Sequence, residues 1–246
     1  MNDLPDRHGR REPPLKRMFD AVPRRYDFLN RVLTLGQDER WRQRAARQCL
    51  EGAPKRVLDL CCGTGDLTRQ LALRAESSME IVGLDYSAKM LDMARAKLSG
   101  LRTDNAVRFV EGDAAAMEFP DGYFDAAGIA FAFRNLTWRN PLRDRALAEA
   151  RRVLRPGSRF VMVETSQPAG RLLRAGFHAY LRMIAGPAGT ALSRHPSAYR
   201  YLAESARKFF GPDEVMDMLR NAGFEPICVE PLLGGAAAVH VVRKPA

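Results

Sequence analysis

Three aspartates accompany successive apolar runs in this 246-residue chain, and their positions suggest ligand chemistry. Asp59 lies within the run 57–60, just before the turn 63–65, while Asp85 and Asp113 each follow a later run. Runs this short and this apolar predict buried strands, and the ends of parallel strands form the ligand-binding edge of an open α/β sheet. A lone aspartate there is better explained as a helix cap or turn residue. Three of them predict a nucleoside site.

The glycine turn favours a cationic ligand over a dinucleotide. Gly63 and Gly65 allow a tight reversal and a close approach of backbone to ligand, and a helix is expected from Asp66. A nicotinamide fingerprint has a third glycine where Thr68 stands here, and it leaves the helix N-terminus free for pyrophosphate. Carboxylates at Asp59 and Asp66 repel phosphate and attract a cation. S-adenosylmethionine, which has a sulfonium, an ammonium and no phosphate, is the predicted cofactor.

The later strand ends predict how the nucleoside is held. Asp85 lies about 20 residues beyond the turn, the interval expected of a ribose-binding carboxylate. Asp113 and the Ala114 backbone N–H are placed to read the adenine edge. We expect Tyr86, beside Asp85, and Ala130, at the end of the fourth strand, to complete the cofactor site.

Alternating strand and helix patterns supply the elements that position these residues. Strands are predicted at 57–61, 80–85, 107–111, 124–130, 159–164, 224–230 and 237–243, and helices at 25–34, 38–50, 66–75, 87–99, 141–154 and 212–222. Such alternation implies a mainly parallel sheet with helices on both faces. The predicted fold is α/β and Rossmann-like, with the seven-stranded sheet of the class I methyltransferases, an N-terminal helical arm and a helical lid.

The chain is predicted to form one methyltransferase domain with five segments. Polar residues 1–17 predict a disordered tail, and 18–56 a helical arm. Residues 57–164 form the cofactor-binding core, 165–211 a lid insertion without strand signals, and 212–246 a last helix and two strands. With 46% hydrophobic residues, the chain can bury one α/β core of this kind.

The formal charge of +10 is concentrated outside the predicted core. Residues 1–56 contain 14 basic and 8 acidic residues, and residues 165–211 contain 7 and 1, whereas residues 57–164 contain 15 of each. No run is long enough to predict a membrane span, and the polar N-terminus does not resemble a secretion signal. We therefore expect a cytoplasmic protein whose basic flanks contact the anionic inner face of a membrane. A solvated, solubilising surface explains the charge equally well.

Beyond these patterns, the chain resembles the ubiquinone and menaquinone biosynthesis C-methyltransferases, above all the bacterial enzymes that act on demethylmenaquinol. The glycine turn alone would indicate only the superfamily, so the more specific motifs carry the resemblance. They are Met18-Phe19-Asp20, Arg25-Tyr26-Asp27, Trp41-Arg42, Phe131-Ala132-Phe133-Arg134-Asn135, Arg152 to Gly157, Glu164-Thr165-Ser166-Gln167-Pro168, Tyr201-Leu202-Ala203-Glu204-Ser205 and Gly234 to His240.

The resemblance implies an enzyme that transfers a methyl group from S-adenosylmethionine to a ring carbon of a reduced, prenylated quinone, most specifically demethylmenaquinol to menaquinol. The family's cofactor contacts fall on Thr64, Asp85, Asp113 and Ala114, which agrees with the pattern of carboxylates. The acceptor must be the quinol, because only a hydroxyl can push electron density into the ring carbon. Neither a metal site nor a disulfide is expected, and an oligomer is possible.

Few side chains are candidates for the chemistry around the acceptor. Arg134 beside Asn135 either stabilises a phenolate or forms a structural ion pair, and His240 is either a base or a core histidine. Glu164 either faces the pocket or accepts a backbone hydrogen bond. The candidates are the catalytic Arg134, Asn135 and His240 and the pocket-lining Tyr26, Glu164 and Tyr201.

Three other functions are compatible with parts of the sequence. Within the same chemistry, the runner-up is methylation of a benzoquinol of ubiquinone synthesis or of another lipophilic phenol. A nucleic-acid methyltransferase would explain the charge, but the fourth strand is followed by residues 131–135 rather than an Asn-Pro-Pro-Tyr motif or a Pro-Cys. A protein that binds the cofactor without turnover would keep the same three aspartates. We expect no nucleic-acid partner.

Overall fold

The computed structural model describes residues 31, 34–76, 78–185 and 204–246. Its seven strands are β1 (Arg56–Leu60), β2 (Glu80–Asp85), β3 (Ala106–Glu111), β4 (Phe124–Ala130), β5 (Leu154–Thr165), β6 (Glu225–Leu232) and β7 (Ala237–Arg243). Its helices are α1 (Asp38–Leu50), α2 (Asp66–Arg74), α3 (Ala88–Leu98), α4 (Phe133–Thr137), α5 (Arg143–Val153), α6 (Arg171–Tyr180) and α7 (Pro212–Asn221). A π-helical turn, Leu181–Ala185, extends α6, and a 3₁₀ turn, Leu233–Gly235, precedes β7.

The strands form one sheet in the order β3-β2-β1-β4-β5-β7-β6. The first five are parallel, and β7 pairs antiparallel with both β5 and β6. The four consecutive neighbours β3, β2, β1 and β4 therefore present their carboxyl ends along one edge. This edge contains the predicted cofactor residues.

Both faces of the sheet are covered by apolar helix faces, which fixes the edge rigidly. On one side Trp41 and Ala45 of α1 and Leu71 of α2 pack against the sheet. On the other, Leu147 of α5 and Leu219 of α7 belong to a second buried cluster. Helices with a buried apolar stripe on each face are the expected cover of a buried parallel sheet.

The predicted seven-stranded, mostly parallel sheet is confirmed, and the structure corrects two details. The short helix α4, which contains Arg134 and Asn135, was not predicted. Helix α5 ends at Val153, so that residues 154–157 already belong to β5 rather than to a helix end. The boundaries of the tail, arm and lid stay predictions, because residues 1–30 and 186–203 lie outside the described part.

Candidate functional site

The crevice at the carboxyl edge lies where the strand order reverses, between β1 and β4. Directly after these two strands the backbone enters the left-handed region, at Cys61 (φ 54°) and Phe131 (φ 57°). Side-chain-bearing residues seldom adopt this conformation, and such strain is typical of ligand sites. Both connections therefore turn sharply at the position where α/β folds bind ligands.

The glycine turn after β1 has two glycines with different tasks. Gly65 (φ 77°) precedes the first residue of α2, and a Cβ there would lie 2.9 Å from the Cβ of Ala94. Gly63 (φ 54°) faces open space, since a Cβ there would meet no atom of the described residues within 4 Å. Gly65 thus permits the packing of α3 against the turn, while Gly63 leaves its backbone accessible to a ligand.

Asp85 connects the end of β2 to this turn. Its Oδ2 accepts the Gly63 N–H (2.9 Å) and its Oδ1 accepts the Ser87 N–H (2.9 Å). The side chain is only 6% exposed, so both bonds are shielded from water. The carboxylate is held rigidly beside the open side of Gly63, which is the arrangement expected of a ribose-binding group.

The third carboxylate, Asp113, lies beyond β3 and is exposed. Its Oδ1 accepts the Ala115 N–H (2.8 Å), so it also closes a turn, as a lone aspartate would. Ala114 is buried beneath it, and Tyr86 is half-buried after β2. Asp113 and Asp85 follow neighbouring strands, which brings the predicted adenine and ribose groups to one edge.

Asp59 does not line the crevice, which corrects the expectation of a direct cofactor contact. The residue is 0% exposed, and its Oδ2 accepts a hydrogen bond from Thr68 Oγ1 (2.6 Å). Burial raises the pKa of the Asp59 carboxyl to about 7. Thr68, which replaces the third glycine of a nicotinamide fingerprint, thus fastens α2 to β1 from below the turn.

Cations of the chain itself surround the start of α2. Lys97 Nζ donates to Thr64 Oγ1 (2.9 Å) and to Asp66 Oδ1, and Arg42 Nη2 lies 3.7 Å from Asp66 Oδ2. Asp66, expected to attract a cation, thus already lies beside two cations of the chain itself. Neither Arg42 nor Lys97 was predicted to act at the turn, although Trp41-Arg42 is one of the family motifs. Only the packing of α1 and α3 brings the two side chains there.

Beyond β4, Arg134 and Glu164 form a buried ion pair. Arg134 Nη1 donates to Glu164 Oε1 (2.9 Å) and to Thr165 Oγ1 (2.6 Å), and both paired side chains are 2% exposed. Glu164 also accepts the backbone N–H groups of Arg134 (3.0 Å) and Thr165 (2.8 Å). These contacts bear on the alternatives that the sequence left open for the two residues. Arg134 does form a structural ion pair, and Glu164 does accept backbone hydrogen bonds.

Three buried polar atoms beside this pair have no partner within the described residues. They are Arg134 Nε, Asn135 Oδ1 and Ser166 Oγ, which follow the ends of β4 and β5. Buried polar groups are nearly always hydrogen-bonded, so an unpaired cluster indicates a place where a ligand or water completes the bonds. Ala130, the predicted contact on β4, is half-buried and pairs with Val163.

Comparison with known proteins decides the family. A profile of the ubiE/COQ5 methyltransferase family matches residues 7–244, which is nearly the whole chain. The chain belongs to the ubiE/COQ5 methyltransferase family. The family resemblance inferred from the sequence motifs is thus confirmed, and the protein is an enzyme of the methyltransferase class.

Curated members of the ubiE/COQ5 family include near full-length relatives of this chain. A demethylmenaquinone methyltransferase of Thermus thermophilus is 43% identical over 228 residues, covering 93% of this chain and 100% of its own length. The enzyme of the same name from Deinococcus radiodurans is 42% identical, covering 85% and 84%. A ubiquinone/menaquinone biosynthesis C-methyltransferase UbiE of a Geobacter species is 35% identical, covering 94% and 96%.

Solved structures share the fold of this ubiE/COQ5 member. The [4+2]-cyclase SpnF has a TM-score of 0.66 at 18% identity, covering 94% of this chain and 96% of its own. A SAM-dependent methyltransferase of Thermotoga maritima has a TM-score of 0.62 at 18% identity, covering 94% and 99%. Since the first is named a cyclase, the fold does not by itself specify the reaction.

His240 is a core histidine in this ubiE/COQ5 member, which corrects its candidacy as a base. It pairs with Met162, three residues before the end of β5, and with Val229 of β6. The residue is 2% exposed, and neither ring nitrogen makes a hydrogen bond of normal geometry within the described residues. Burial lowers its pKa to about 4, and the nearby Pro212 backbone opposes this only in part.

The burial of His240 should make stability depend on pH. In the unfolded chain His240 binds a proton near pH 6.5, whereas in the folded chain it does so only near pH 4. The free energy of unfolding therefore has its full value above pH 6.5 and decreases as the pH falls from 6.5 to 4. The complete loss in the free energy of unfolding from this pKa difference is about 3 kcal/mol. Urea unfolding of the protein and of His240→Leu at several pH values measures it. Equal pH slopes for the two proteins would contradict the assignment.

Two predicted pocket residues, Tyr26 and Tyr201, lie outside the described residues. Within the described ranges, no group of His, Cys, Asp or Glu is arranged to hold a metal ion. All four cysteines are free, and burial raises the pKa of the Cys61 and Cys62 thiols, which makes them poor nucleophiles.

Proposed function

We propose that this chain transfers a methyl group from S-adenosylmethionine to a ring carbon of reduced demethylmenaquinone and so forms menaquinol. The observation that carries the proposal is the 43% identity to a demethylmenaquinone methyltransferase along that relative's whole length. The crevice supports it independently, since the carboxylates of Asp85 and Asp113 follow neighbouring strands and suit a nucleoside. Methylation of a benzoquinol is the second candidate, supported by the ubiquinone/menaquinone relative.

The cofactor residues proposed are Gly63, Thr64, Gly65, Asp85, Tyr86, Asp113, Ala114 and Ala130. When bound, S-adenosylmethionine supplies an electrophilic methyl group on its sulfonium. A carboxylate offers about four lone-pair sites, so Asp85 is suited to accept from the ribose hydroxyls as well as from the backbone. The exposed Asp113 carboxylate is free to accept from the adenine amino group. The protein's contribution is alignment of carbon, methyl and sulfur.

On the acceptor side, we propose that Arg134 acts through its fixed position. A guanidinium stays protonated and cannot take the displaced ring proton. Glu164 and Thr165 fix Nη1, whereas Nε is left without a partner among the described residues. That Nε–H can donate to a phenolate oxygen or to the water that removes the proton. Asn135 Oδ1, on the next residue of α4, is a further buried acceptor without a partner among the described residues.

The test is incubation of the purified protein with S-adenosylmethionine and either chemically reduced demethylmenaquinone or a reduced benzoquinone precursor. Mass spectrometry is expected to show a one-methyl gain on the naphthoquinol. A gain on the benzoquinol alone would favour the second candidate. A methyl gain on neither quinol would overturn the proposed function. Equal methylation of the unreduced quinone would contradict the requirement for a quinol.

We further propose peripheral contact with an anionic membrane through the segment 165–211, which would act as the lid. No acidic residue occurs between Glu164 and Glu204. Within this stretch α6 and the π-helical turn present an exposed face that lacks any polar side chain. It consists of Leu172, Gly176, Ala179 and Met183 at helical spacing, flanked by the exposed Arg171 and Arg182. Within the described residues, no helix is long and apolar enough to cross a bilayer.

Introducing negative charges into the apolar face should weaken membrane binding. Leu172 and Met183 are 88% and 70% exposed, so Leu172→Glu with Met183→Glu leaves the core intact. We expect at least a tenfold loss of affinity for phosphatidylglycerol vesicles, because about 1.5–3 kcal/mol is gained for each large apolar side chain buried. Vesicle co-sedimentation measures it. The matched control, Leu73→Glu on α2, should bind normally, and equal loss in both variants would refute this surface.

A further inference from the structure

A charged cavity of about 400 Å³ lies between α1 and α2, next to the glycine turn. Its lining includes Arg42, Asp66 and Lys97, together with Arg31, Asp38 and Arg69. Lys97 connects it to the turn by donating to Thr64 Oγ1 (2.9 Å). Four basic side chains line the cavity, and three carboxylates, Asp38, Glu39 and Asp66, also belong to its lining.

Arg42 is the buried cation of this cavity. It is 5% exposed, and its Nη1 donates to Asp38 Oδ2 (2.6 Å). Its Cζ lies 4.9 Å from the centroid of the Phe131 ring, and its Nη2 lies 3.7 Å from Asp66 Oδ2. A guanidinium has five N–H donors, and within the described residues one of them makes a hydrogen bond. Arg42 therefore has donors left for an anion.

The strand order determines which part of a ligand reaches this cavity. Along the edge β3-β2-β1-β4, the exposed Asp113 follows β3 and Asp85 follows β2. A nucleoside placed with its base at β3 and its ribose at β2 extends its 5′ substituent past the glycine turn of β1 towards β4. Arg42 stands at that point, over the Phe131 ring that follows β4.

From this order we infer that the cavity receives the α-carboxylate of the cofactor's methionine end, and that Arg42 holds it. The inference rests on the proposed use of S-adenosylmethionine. An amino-acid end is a zwitterion, and the side-by-side Arg42 and Asp66 offer one partner to each of its charges. A guanidinium can donate to both oxygens of a carboxylate, and burial strengthens that bond. Arg42 is thus a binding residue that the glycine motif does not contain.

Two ligands that differ only in the amino-acid part provide the test. Isothermal titration calorimetry compares S-adenosylhomocysteine, which has the carboxylate, with 5′-methylthioadenosine, which lacks it. In Arg42→Met we expect the affinity for adenosylhomocysteine to fall by about thirtyfold or more, and that for methylthioadenosine to change less than threefold. The control is Arg44→Met on the same helix, whose exposed side chain pairs with Glu230. It should change neither affinity.

A second variant addresses folding, because replacing Arg42 with methionine removes the cation paired with Asp38 and leaves it only the Thr34 hydroxyl as a hydrogen-bond donor among the described residues. The double variant Asp38→Asn with Arg42→Met removes both charges and should show the same split between the two ligands. Arg42→Lys should recover part of the lost affinity. Equal losses for both ligands, or no loss, would overturn the role of Arg42 while leaving the cofactor proposal intact. If the unmodified protein bound neither ligand, both proposals would fail.

Discussion

Replacing Glu164 with alanine is expected to lower the free energy of unfolding by about 3–5 kcal/mol, because the guanidinium of Arg134 would stay buried without its counter-charge. Three further donors lose their acceptor at the same time, namely the backbone N–H groups of Arg134 and Thr165 and the Thr165 hydroxyl. Urea unfolding followed by circular dichroism measures the change.

Two further variants test whether the loss of stability comes from the unpaired buried charge. Glu204→Ala removes an exposed partner of Lys208 and should leave the free energy of unfolding nearly unchanged. The double variant Arg134→Met with Glu164→Met removes both buried charges, so its stability should lie well above that of Glu164→Ala. If Glu164→Ala and Glu204→Ala had equal stability, the buried pair would not hold α4 in place. If the stable double variant kept full turnover, Arg134 would have no part in the reaction.

The second large effect is expected at Asp85. Asp85→Asn should weaken adenosylhomocysteine binding by at least about a hundredfold, since charged hydrogen bonds contribute roughly 1.5–3 kcal/mol each and two ribose hydroxyls lose a carboxylate. The amide also cannot accept both the Gly63 and Ser87 N–H groups, because its nitrogen only donates. Calorimetry with the purified variant measures the affinity.

A matched control for Asp85 exists at the opposite edge of the sheet. Asp125 lies near the start of β4, and its Oδ2 accepts the backbone N–H groups of Lys55 and Arg56, each at 2.9 Å. Asp125→Asn therefore disturbs a comparable set of backbone bonds far from the crevice and should leave the affinity unchanged. If the two variants bound adenosylhomocysteine equally well, Asp85 would be only a support for the glycine turn.

The elements were predictable where local pattern and burial agree. The apolar runs that became β1, β2 and β4 and the glycines before α2 each carry their own signal within a few residues. Helix α4 was missed because its five residues 133–137 are too few for helical periodicity, and its position is fixed by Glu164, 30 residues away. Short helices of this kind depend on tertiary contacts.

The site was predictable only in its outline. Spacing correctly placed Asp85 at the carboxyl edge of the sheet, because the end of a parallel strand must lie there. Spacing could not tell that Asp59 points into the core towards Thr68, since one residue of register decides which side of a strand it faces. The roles of Arg42 and Lys97 depend on how α1 and α3 pack, and no local pattern encodes that.

The position of β7 has a consequence for how the protein is made. β6 precedes β7 in the chain, yet in the sheet it is joined to β5 only through β7. During synthesis β6 therefore has no docking partner until the later strand has emerged, and the edge of β5 stays open to wrong pairing. Pro226 and Pro231 in β6 have no backbone N–H to donate to a strand of another chain, which protects β6 from aggregation before β7 is available.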